Sequence, residues 1–529
     1  MPNREGTRAV TIRQLSLFGA GLDPWDEDDR RLRPVAQVVF SEAPFGPYDY
    51  EVPEPMRGDL AAGMRVKVPL GRGNQRRVGY CVDVGSPAST SRNLKLILSV
   101  MDDRVLLLPL MLKLARWLAE YYLCPLGQVL ETLVPSGVRT QAGTRVRSFL
   151  TVSDSMILQK KDIDLPTKQR VALELLADRD TPMTPDELAS AVGCSLAPIQ
   201  GLIRKGMVDL ETRRVPVFTP EPRPLESDEP PQLNQAQEEA VAAVVAALEG
   251  ARQETFLLHG VTGSGKTEVY IRAIEEVVKY GRQAIVLVPE ISLTPQTWQR
   301  FQSRFKEVAV LHSHLTPQER NWHWQRIAEG NVSVVVGARS AVFAPTPHLG
   351  LIVIDEEHDS SFKQDSAPRY HARTVAQWRA QSESIPLVLG SATPALETWV
   401  VAQAGRIRKL DMPDRVGGRT LPEIRVVDMR HEKRAAAGGA LSRVMVDEMS
   451  QTLKDDGQVI LLLNRRGFST HIQCPRCGSV VNCPDCEVAL THHHHDESAK
   501  CHYCDFSQSA PSNCPECGGR EIRYSGLGT

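Results

Sequence analysis

A glycine-rich segment in the middle of this 529-residue chain, residues 260–267 (GVTGSGKT), constrains its fold more than any other feature. The segment directly follows the apolar run TFLLH and precedes the amphipathic sequence TEVYIRAIEEVV. An apolar strand, a glycine-rich turn and a helix in this order are typical of a parallel α/β sheet. Further apolar runs of strand length alternate with helical patterns as far as residue 391. The pattern therefore predicts a doubly wound parallel sheet with helices against both faces.

The same segment carries the groups that hold nucleotide phosphates. Its glycines let backbone N–H groups approach the phosphates, and the helix that follows adds the positive end of its dipole. We expect Lys266 to reach the β- and γ-phosphates and Thr267 to offer its hydroxyl to Mg²⁺. The predicted ATP-binding residues of this segment are Gly260, Thr262, Gly263, Ser264, Gly265, Lys266 and Thr267.

An acidic motif, DEEH at 355–358, ends the apolar run LIVI. Acidic side chains at the carboxyl end of a parallel strand lie where Mg²⁺ and an attacking water meet a bound nucleotide. We predict that Asp355 holds the metal ion and that Glu356 polarises the water. Lys266, Asp355 and Glu356 then form the predicted catalytic set. Taken alone, the motif is also compatible with a solvated turn.

Eight of the eleven cysteines crowd into four CxxC pairs near the end of the chain. Each CxxC pair supplies half of a tetrahedral Zn²⁺ shell, so eight thiolates predict two structural Cys₄ zinc sites in a reducing compartment. Spacing alone permits either a nested or a sequential pairing of the four CxxC motifs. The predicted ligands are Cys474, Cys477, Cys483, Cys486, Cys501, Cys504, Cys514 and Cys517.

Charge and hydropathy exclude several classes of protein. With 62 Lys and Arg against 64 Asp and Glu, the net charge is −2, so any nucleic-acid partner must be held by local basic surface. The apolar runs fall short of the roughly 20 residues that a membrane span needs. The N-terminal sequence lacks the apolar stretch of a secretory signal, and we predict a cytoplasmic protein.

Three ordered motifs resemble those of superfamily 2 nucleic-acid helicases: GVTGSGKT, DEEH and the SAT at 391–393. Gln237, about two dozen residues before the glycine-rich segment, matches the adenine-contacting glutamine of that superfamily. The segments VPEISLTPQ at 288–296, LHS at 311–313 and GARSAVFAP at 337–345 are similar to the PriA family of replication restart helicases, also called primosomal protein N′.

The resemblance implies a function in replication restart. Family members recognise stalled or abandoned forks, remodel them by ATP-dependent 3′-to-5′ helicase action, and promote primosome assembly and reloading of the replicative helicase. It implies ATP with Mg²⁺ and two structural zinc ions as cofactors, with nested cysteine pairing. Forked and single-stranded DNA, single-stranded DNA-binding protein and other primosome proteins are the implied partners, and no membrane is involved.

The resemblance also implies two sets of DNA contacts. In a loop similar to the family's aromatic-rich loop, Phe362 and Tyr370 are expected to stack on bases, while Lys363, Arg369 and Arg373 meet phosphates. A surface loop with two core-anchored aromatic rings is the alternative for this segment. In the N-terminal domain, the pocket for the 3′ end of a DNA strand aligns with Asp49, Gly63 and Lys95, where a carboxylate accepts from a 3′-OH and a lysine neutralises the adjacent phosphate.

These features together predict a multidomain α/β protein. It contains a small N-terminal β domain, a winged helix, a P-loop RecA-like doubly wound parallel sheet, and a zinc-knuckle insertion in a partial second RecA-like lobe. The predicted boundaries are a polar tail at 1–33, a 3′-DNA-end-binding domain at 34–137, a winged helix at 155–218, a linker at 219–232, the ATP-binding first helicase lobe at 233–425, and the partial second lobe at 426–529 with its zinc-binding insertion at 472–520.

The resemblance continues to the last residue, and the chain ends within the second motor lobe of the family. The family's arginine that reaches the γ-phosphate from across the cleft belongs to the portion that this chain lacks, so the chain is interpreted as truncated. A non-catalytic fork-binding scaffold for primosome assembly is the alternative function for these 529 residues.

Overall fold

The computed structural model describes residues 34–85, 94–152, 165–179, 181–218, 230–418, 423–428, 441–462, 471–493, 497–501, 504–520 and 522–525. The chain divides into two compact units, residues 1–419 and 420–529, which are described separately. The predicted tail at 1–33 and most of the predicted linker lie outside the described residues. No helix among the described residues is long and apolar enough to cross a membrane.

The first unit begins with a six-stranded β barrel, which confirms the predicted N-terminal β domain. The strand order is β5-β2-β1-β4-β3-β6, and Ile97 and Leu98 alone separate β5 from β6. β5 pairs with β2 at one end of the strand order, and β6 pairs with β3 at the other end. The short connection between β5 and β6 therefore closes the sheet into a barrel. The strands are β1 (Val35–Val39), β2 (Tyr48–Glu51), β3 (Arg65–Leu70), β4 (Gln75–Val84), β5 (Lys95–Leu96) and β6 (Ser99–Val100).

Three helices then join the barrel to the rest of the unit: α1 (Pro109–Tyr121), α2 (Leu126–Leu133) and α3 (Ser136–Arg139). Gly127 of α2 approaches β1 so closely that a Cβ atom there would lie 1.8 Å from the carbonyl oxygen of Phe40. From α1, the indole ring of Trp117 stacks on that of Trp378 with centroids 5.6 Å apart. The buried residues of α1 and α2 belong to the same apolar core as the parallel sheet, so the two domains are packed together.

A buried ion pair fixes the start of β3. Arg65 donates from Nη2 to Asp102 Oδ1 at 2.6 Å and from its backbone N–H to Asp102 Oδ2 at 2.7 Å, and both residues are buried. The same guanidinium donates to the carbonyl oxygen of Arg139 at the end of α3. The pair therefore ties the barrel to the helices that follow it.

We expect Asp102→Ala to destabilise the unit by about 3–5 kcal/mol, because the substitution leaves a buried guanidinium without its counter-charge. Denaturation of the full chain by urea, followed by tryptophan fluorescence, measures the effect as a shift of the first unfolding midpoint. Asp103→Ala is the matched control, since the neighbouring carboxylate is exposed and lies 3.9 Å from Arg214. Equal shifts for the two variants would contradict the assigned role of the buried pair.

A winged helix follows. Its helices are α4 (Thr167–Ala177), α5 (Pro185–Val192) and α6 (Leu196–Arg204), and its wing pairs β7 (Thr144–Val152) with β8 (Val208–Pro216) along their whole length. Thr184 and Glu187 form a capping box at the start of α5. The sequence pattern predicted the helices and β8, whereas β7 precedes the segment 155–218 that was predicted for this domain.

The remainder of the first unit is the predicted doubly wound sheet, and the structure confirms it. All seven strands are parallel in the order β11-β12-β10-β13-β14-β9-β15. The strands are β9 (Thr255–Gly260), β10 (Gln283–Leu287), β11 (Val308–Leu311), β12 (Val334–Gly337), β13 (Leu349–Ile354), β14 (Leu387–Ser391) and β15 (Arg408–Met412). The helices are α7 (Gln235–Glu249), α8 (Lys266–Lys279), α9 (Pro295–Gln302), α10 (Pro317–Ala328), α11 (Ala372–Glu383) and α12 (Leu396–Gln403).

The second unit contains the helix α13 (Arg443–Lys454) and a five-stranded antiparallel sheet in the order β19-β18-β17-β16-β20. The strands are β16 (His471–Gln473), β17 (Thr491–His493), β18 (Ser498–Lys500), β19 (Ser507–Ser509) and β20 (Arg523–Ser525). Their apolar core is small and includes Ile472, Val481, Leu490 and Ala499 with two cysteines.

Candidate nucleotide, DNA and zinc sites

A cavity of about 590 Å³ opens where β9 and β13 end, between the glycine-rich segment and the acidic motif. Gly265 caps the start of α8 with a φ of +83°, a left-handed conformation that favours glycine. The Lys266 ammonium is buried, donates to the carbonyl oxygen of Gly260 at 3.1 Å and lies 3.8 Å from Glu356 Oε1. The Ser264 hydroxyl oxygen is buried and has no hydrogen-bond partner among the residues that the structure describes. A buried cation and an unpaired hydroxyl in a glycine cradle fit an anionic phosphate group.

Gln237 lines the same cavity, but its amide already has two partners. Its Oε1 accepts from the backbone N–H of Asn234 at 2.9 Å, which completes a capping box at the start of α7. Its Nε2 donates to the carbonyl oxygen of Ser264 at 2.9 Å. The side chain therefore ties α7 to the glycine-rich segment, a role that no sequence motif indicated. Contact with adenine stays a prediction.

Asp355 follows β13 and faces the cavity. Its Oδ1 accepts a hydrogen bond from the hydroxyl of Tyr270 on α8 at 3.0 Å. Burial raises the pKa of the Asp355 carboxyl above its usual value, and the neighbouring Glu356 charge adds to this shift. A bound divalent cation would offset both effects by favouring the ionised form. The structure thus brings together Lys266, Asp355 and Glu356, the three residues predicted to be catalytic.

The last two residues of the acidic motif connect it to neighbouring segments through contacts that no sequence motif predicted. The fully buried Glu357 carboxylate accepts from Arg373 Nη1, from the Thr398 hydroxyl at 3.0 Å and from the backbone N–H of Ala395 at 2.8 Å. His358 Nδ1 lies 2.8 Å from the Ser391 hydroxyl oxygen. Both DEEH and SAT therefore belong to one hydrogen-bonded network at the carboxyl edge of the sheet.

The two aromatic rings in the loop after the acidic motif are not available for the predicted stacking on bases. The rings of Phe362 and Tyr370 are buried, at 0% and 1% exposure, and belong to the apolar core. Phe343 packs edge-to-face on Tyr370, and the Arg339 guanidinium lies 5.9 Å above the same ring. Rings enclosed in this way have no free face for a base, so the expectation of stacking is wrong for this conformation. The core-anchored alternative describes both residues.

The three basic residues of this loop have different surroundings. Lys363 is exposed, bonds to the carbonyl oxygen of Arg369 and lies 5.3 Å above the Tyr122 ring. Arg369 is exposed and bonds to the carbonyl oxygen of Asp365 at 3.0 Å. Arg373 is the Glu357 partner described above, so its charge is already matched. Lys363 and Arg369 lie at the surface, where they fit the predicted phosphate contacts.

The barrel places two of the three predicted DNA-end residues on neighbouring strands. Asp49 of β2 and Lys95 of β5 lie on neighbouring strands, with Lys95 opposite Tyr50. Lys95 Nζ also bonds to the carbonyl oxygen of Gly71, which follows β3. Gly63 precedes β3, so the length of that strand, roughly 20 Å for six residues, separates it from Gly71. Gly63 has a φ of +96°, and a Cβ there would lie 2.2 Å from the carbonyl oxygen of Leu107. The left-handed backbone and the close contact with Leu107 are therefore sufficient to require glycine at position 63.

The eight predicted zinc ligands form two clusters in the second unit. Cys474, Cys477, Cys514 and Cys517 make one, and Cys483, Cys486, Cys501 and Cys504 make the other. Cross-pair Sγ–Sγ distances are 3.6–3.7 Å, close to the ~3.8 Å edge of a tetrahedron with Zn–S bonds of about 2.3 Å. All eleven cysteines lie among the described residues, and none forms a disulfide. The grouping is the nested one, and each donor set fits Zn²⁺.

Comparisons with known proteins identify three segments of the chain. Residues 35–135 match the 3′DNA-binding domain of PriA, residues 234–399 match a DEAD/DEAH box helicase, and residues 483–508 match the Cys-rich region of PriA DNA helicase. The replication restart protein PriA of Bacillus subtilis is 34% identical, over 91% of this chain and 68% of that protein. This chain belongs to the PriA family.

Other PriA proteins give similar values. Those of Haemophilus influenzae and Treponema pallidum are 36% and 35% identical over 91% and 94% of this chain. The chain spans 65% and 64% of their lengths, about two thirds of each relative. The helicase match covers the cavity and acidic motif, and the two PriA-specific matches cover the barrel with α1 and α2 and the inner cysteine cluster.

Proposed function

We propose that this protein acts in replication restart as an ATP-dependent 3′-to-5′ DNA helicase that recognises stalled or abandoned forks. The observation that carries the proposal is one shared apolar core. This core joins α1 and α2, which follow the DNA-end-binding barrel in the chain, to the nucleotide-binding sheet. A DNA end held by the barrel is thereby fixed relative to the ATP site. Remodelling of the fork, primosome assembly and reloading of the replicative helicase follow from the family resemblance.

The residues around the cavity support ATP hydrolysis. ATP with Mg²⁺ would supply the phosphoryl group whose transfer to water releases the free energy for unwinding. Lys266 and the backbone N–H groups of residues 262–267 would hold the β- and γ-phosphates, and Ser264 would donate its unpaired hydroxyl. Thr267 and Asp355 would hold the metal ion. Glu356, at 3.8 Å from Lys266, would orient the attacking water.

We propose that the two cysteine clusters each hold one structural zinc ion. Four thiolates complete a tetrahedral shell and leave no position open for substrate, so these ions stabilise the fold. Thiolates of this kind persist in a reducing compartment, which supports a cytoplasmic location. Single-stranded DNA-binding protein and other primosome proteins are proposed partners by family resemblance.

A fork whose leading strand ends in a 3′-OH at the junction is expected to bind about fivefold more tightly than the same fork with a 3′-phosphate. A carboxylate near the DNA end accepts a bond from a hydroxyl, whereas like charges about 4 Å apart in water repel by roughly 1 kcal/mol. Fluorescence anisotropy at one fixed salt concentration measures both affinities, because phosphate contacts make each of them depend on salt. ATP hydrolysis on the same forks tests the helicase assignment.

Asp49→Asn is expected to reduce this preference, because a neutral amide does not repel the phosphate. Asp59→Asn is the matched control, since Asp59 is an exposed carboxylate of the same domain. Equal affinities of the unmodified chain for the two forks would remove Asp49 from the proposed pocket. If the unmodified chain binds forks and ATP without DNA-stimulated hydrolysis, the fork-binding scaffold is the function of these 529 residues.

A further inference from the structure

Tyr270 is a buried polar residue next to the nucleotide cavity to which the sequence motifs assign no function. It lies four residues after Lys266 on α8, so both side chains project from the same face of the helix. Its ring is 2% exposed and packs within the apolar core formed by α7, α8 and the sheet. A phenol in such surroundings needs a hydrogen-bond partner for its hydroxyl.

The Tyr270 hydroxyl has that partner in Asp355. It donates to Asp355 Oδ1 at 3.0 Å across 85 positions of sequence. The bond connects the helix that begins at the phosphate-binding segment with the strand that ends at the acidic motif. One carboxylate oxygen is thereby occupied by the protein, and Oδ2 is the oxygen that this bond leaves for a metal ion.

The backbone of β14 confines the hydroxyl on a further side. A Cβ atom at Gly390 would lie 1.6 Å from the Tyr270 hydroxyl oxygen, a distance that no real contact allows. The carbonyl oxygen of Gly390 accepts the backbone N–H of Glu357 at 3.0 Å, so this point of β14 is held against the acidic motif. The hydroxyl therefore occupies a closed niche between β14 and the Asp355 carboxylate.

We propose that Tyr270 is a positioning residue for Mg²⁺–nucleotide binding, acting by fixing the orientation of the Asp355 carboxylate. The inference rests on the proposed function of the cavity. A carboxylate held through one oxygen presents the other in a single direction, which reduces the ordering required when the metal ion binds. Without the hydroxyl, the carboxylate has more rotational freedom and loses a neutral donor that stabilises its charge.

The test is a titration of Mg²⁺ at several concentrations of a fluorescent ATP analogue, using the full chain and Tyr270→Phe. We expect the Mg²⁺ concentration for half-maximal enhancement of nucleotide binding to rise about tenfold. Loss of a group that hydrogen-bonds a metal ligand usually lowers metal affinity by about 10- to 100-fold, and this estimate takes the lower value. Affinity without Mg²⁺ should stay within twofold of the unmodified chain, because Lys266 and the glycine-rich segment are intact.

Tyr280→Phe is the matched control. Tyr280 also donates to a carboxylate, Glu249 at 3.2 Å, but it is exposed at the far end of α8. Its loss should leave the Mg²⁺ titration unchanged. Thermal unfolding of both variants checks that the fold is retained.

A double-variant cycle separates positioning from general packing. Asp355→Asn removes the proposed metal ligand, so adding Tyr270→Phe to it should cause no further change in the Mg²⁺ titration. A further change would show that Tyr270 acts by another route and would overturn the inference.

Three remaining outcomes are distinguishable. If the unmodified chain binds the analogue with Mg²⁺ enhancement and Tyr270→Phe matches it, the positioning role alone is wrong. If the unmodified chain binds no nucleotide at any Mg²⁺ concentration, the proposed ATP site itself is wrong. Equal loss of affinity with and without Mg²⁺ would indicate a packing role and also reject the inference.

Discussion

Replacing Lys266 by alanine should weaken ATP binding by the full chain on the order of 100-fold. The ammonium is buried at the bottom of the cavity, where its bond to the carbonyl oxygen of Gly260 holds it beside the phosphate-binding segment. A hydrogen bond to a charged group contributes about 1.5–3 kcal/mol, and each 1.4 kcal/mol is about tenfold in affinity. Removal of the side chain also takes away the ammonium that lies 3.8 Å from Glu356 Oε1. Equilibrium binding of a fluorescent ATP analogue measures the change.

Lys279→Ala is the control for this experiment. Lys279 is the last residue of the same helix and bonds to Glu276 at 2.6 Å on the exposed surface. Its loss removes an equal charge without touching the cavity, and affinity should change less than twofold. If the two lysine variants bind the analogue equally well, the phosphates do not bind where the glycine-rich segment predicts.

Removal of zinc should unfold the segment from residue 471 to 525 and leave the nucleotide-binding unit folded. The apolar core of this segment is too small to be stable by itself, whereas binding of structural Zn²⁺ contributes about 10–16 kcal/mol in small zinc domains. Metal analysis should find two zinc ions per chain. After chelation, limited proteolysis should cut within this segment, while binding of the ATP analogue is retained. Resistance of the metal-free segment to protease would contradict a structural role for zinc.

Pairs of Cys→Ser substitutions decide how the ligands are shared. In the nested clusters, Cys483→Ser with Cys501→Ser damages one site and should leave one zinc ion per chain. Cys474→Ser with Cys483→Ser damages both sites and should leave none. Sequential pairing predicts the opposite result for these two double variants, so the metal content of the pair separates the two arrangements.

Local sequence patterns determined much of the architecture because each pattern encodes a local interaction. Apolar runs of strand length, separated by helices, are soluble only when both faces of the sheet are covered, which predicted the parallel sheet. The glycine-rich segment needs a strand before it and a helix after it, so its place at the carboxyl edge of β9 followed from sequence. Four CxxC pairs likewise predicted two zinc sites, since thiolate spacing reflects the geometry of one knuckle.

These local patterns did not predict long-range packing. Phe362 and Tyr370 are aromatic residues in a polar, basic loop, a composition that suggested exposed rings, yet the tertiary fold buries both in the common core. Similarly, β7 was not assigned to the winged helix, because its pairing partner β8 lies about 60 residues later in the chain. Gly63 matched a pocket motif in sequence, but the barrel places it at the other end of β3 from the partner of Lys95.

Local sequence patterns were enough to identify the groups proposed to bind ATP, zinc and DNA and most of the strands and helices that carry them. Which of those groups contact one another depends on how the fold packs. It placed the Tyr270 hydroxyl on Asp355, the Arg373 guanidinium on Glu357 and the Gln237 amide on the backbone of Ser264. The physical reason is that a buried polar group must find a partner in space. That partner is set by how strands and helices pack and not by the residues adjacent in sequence.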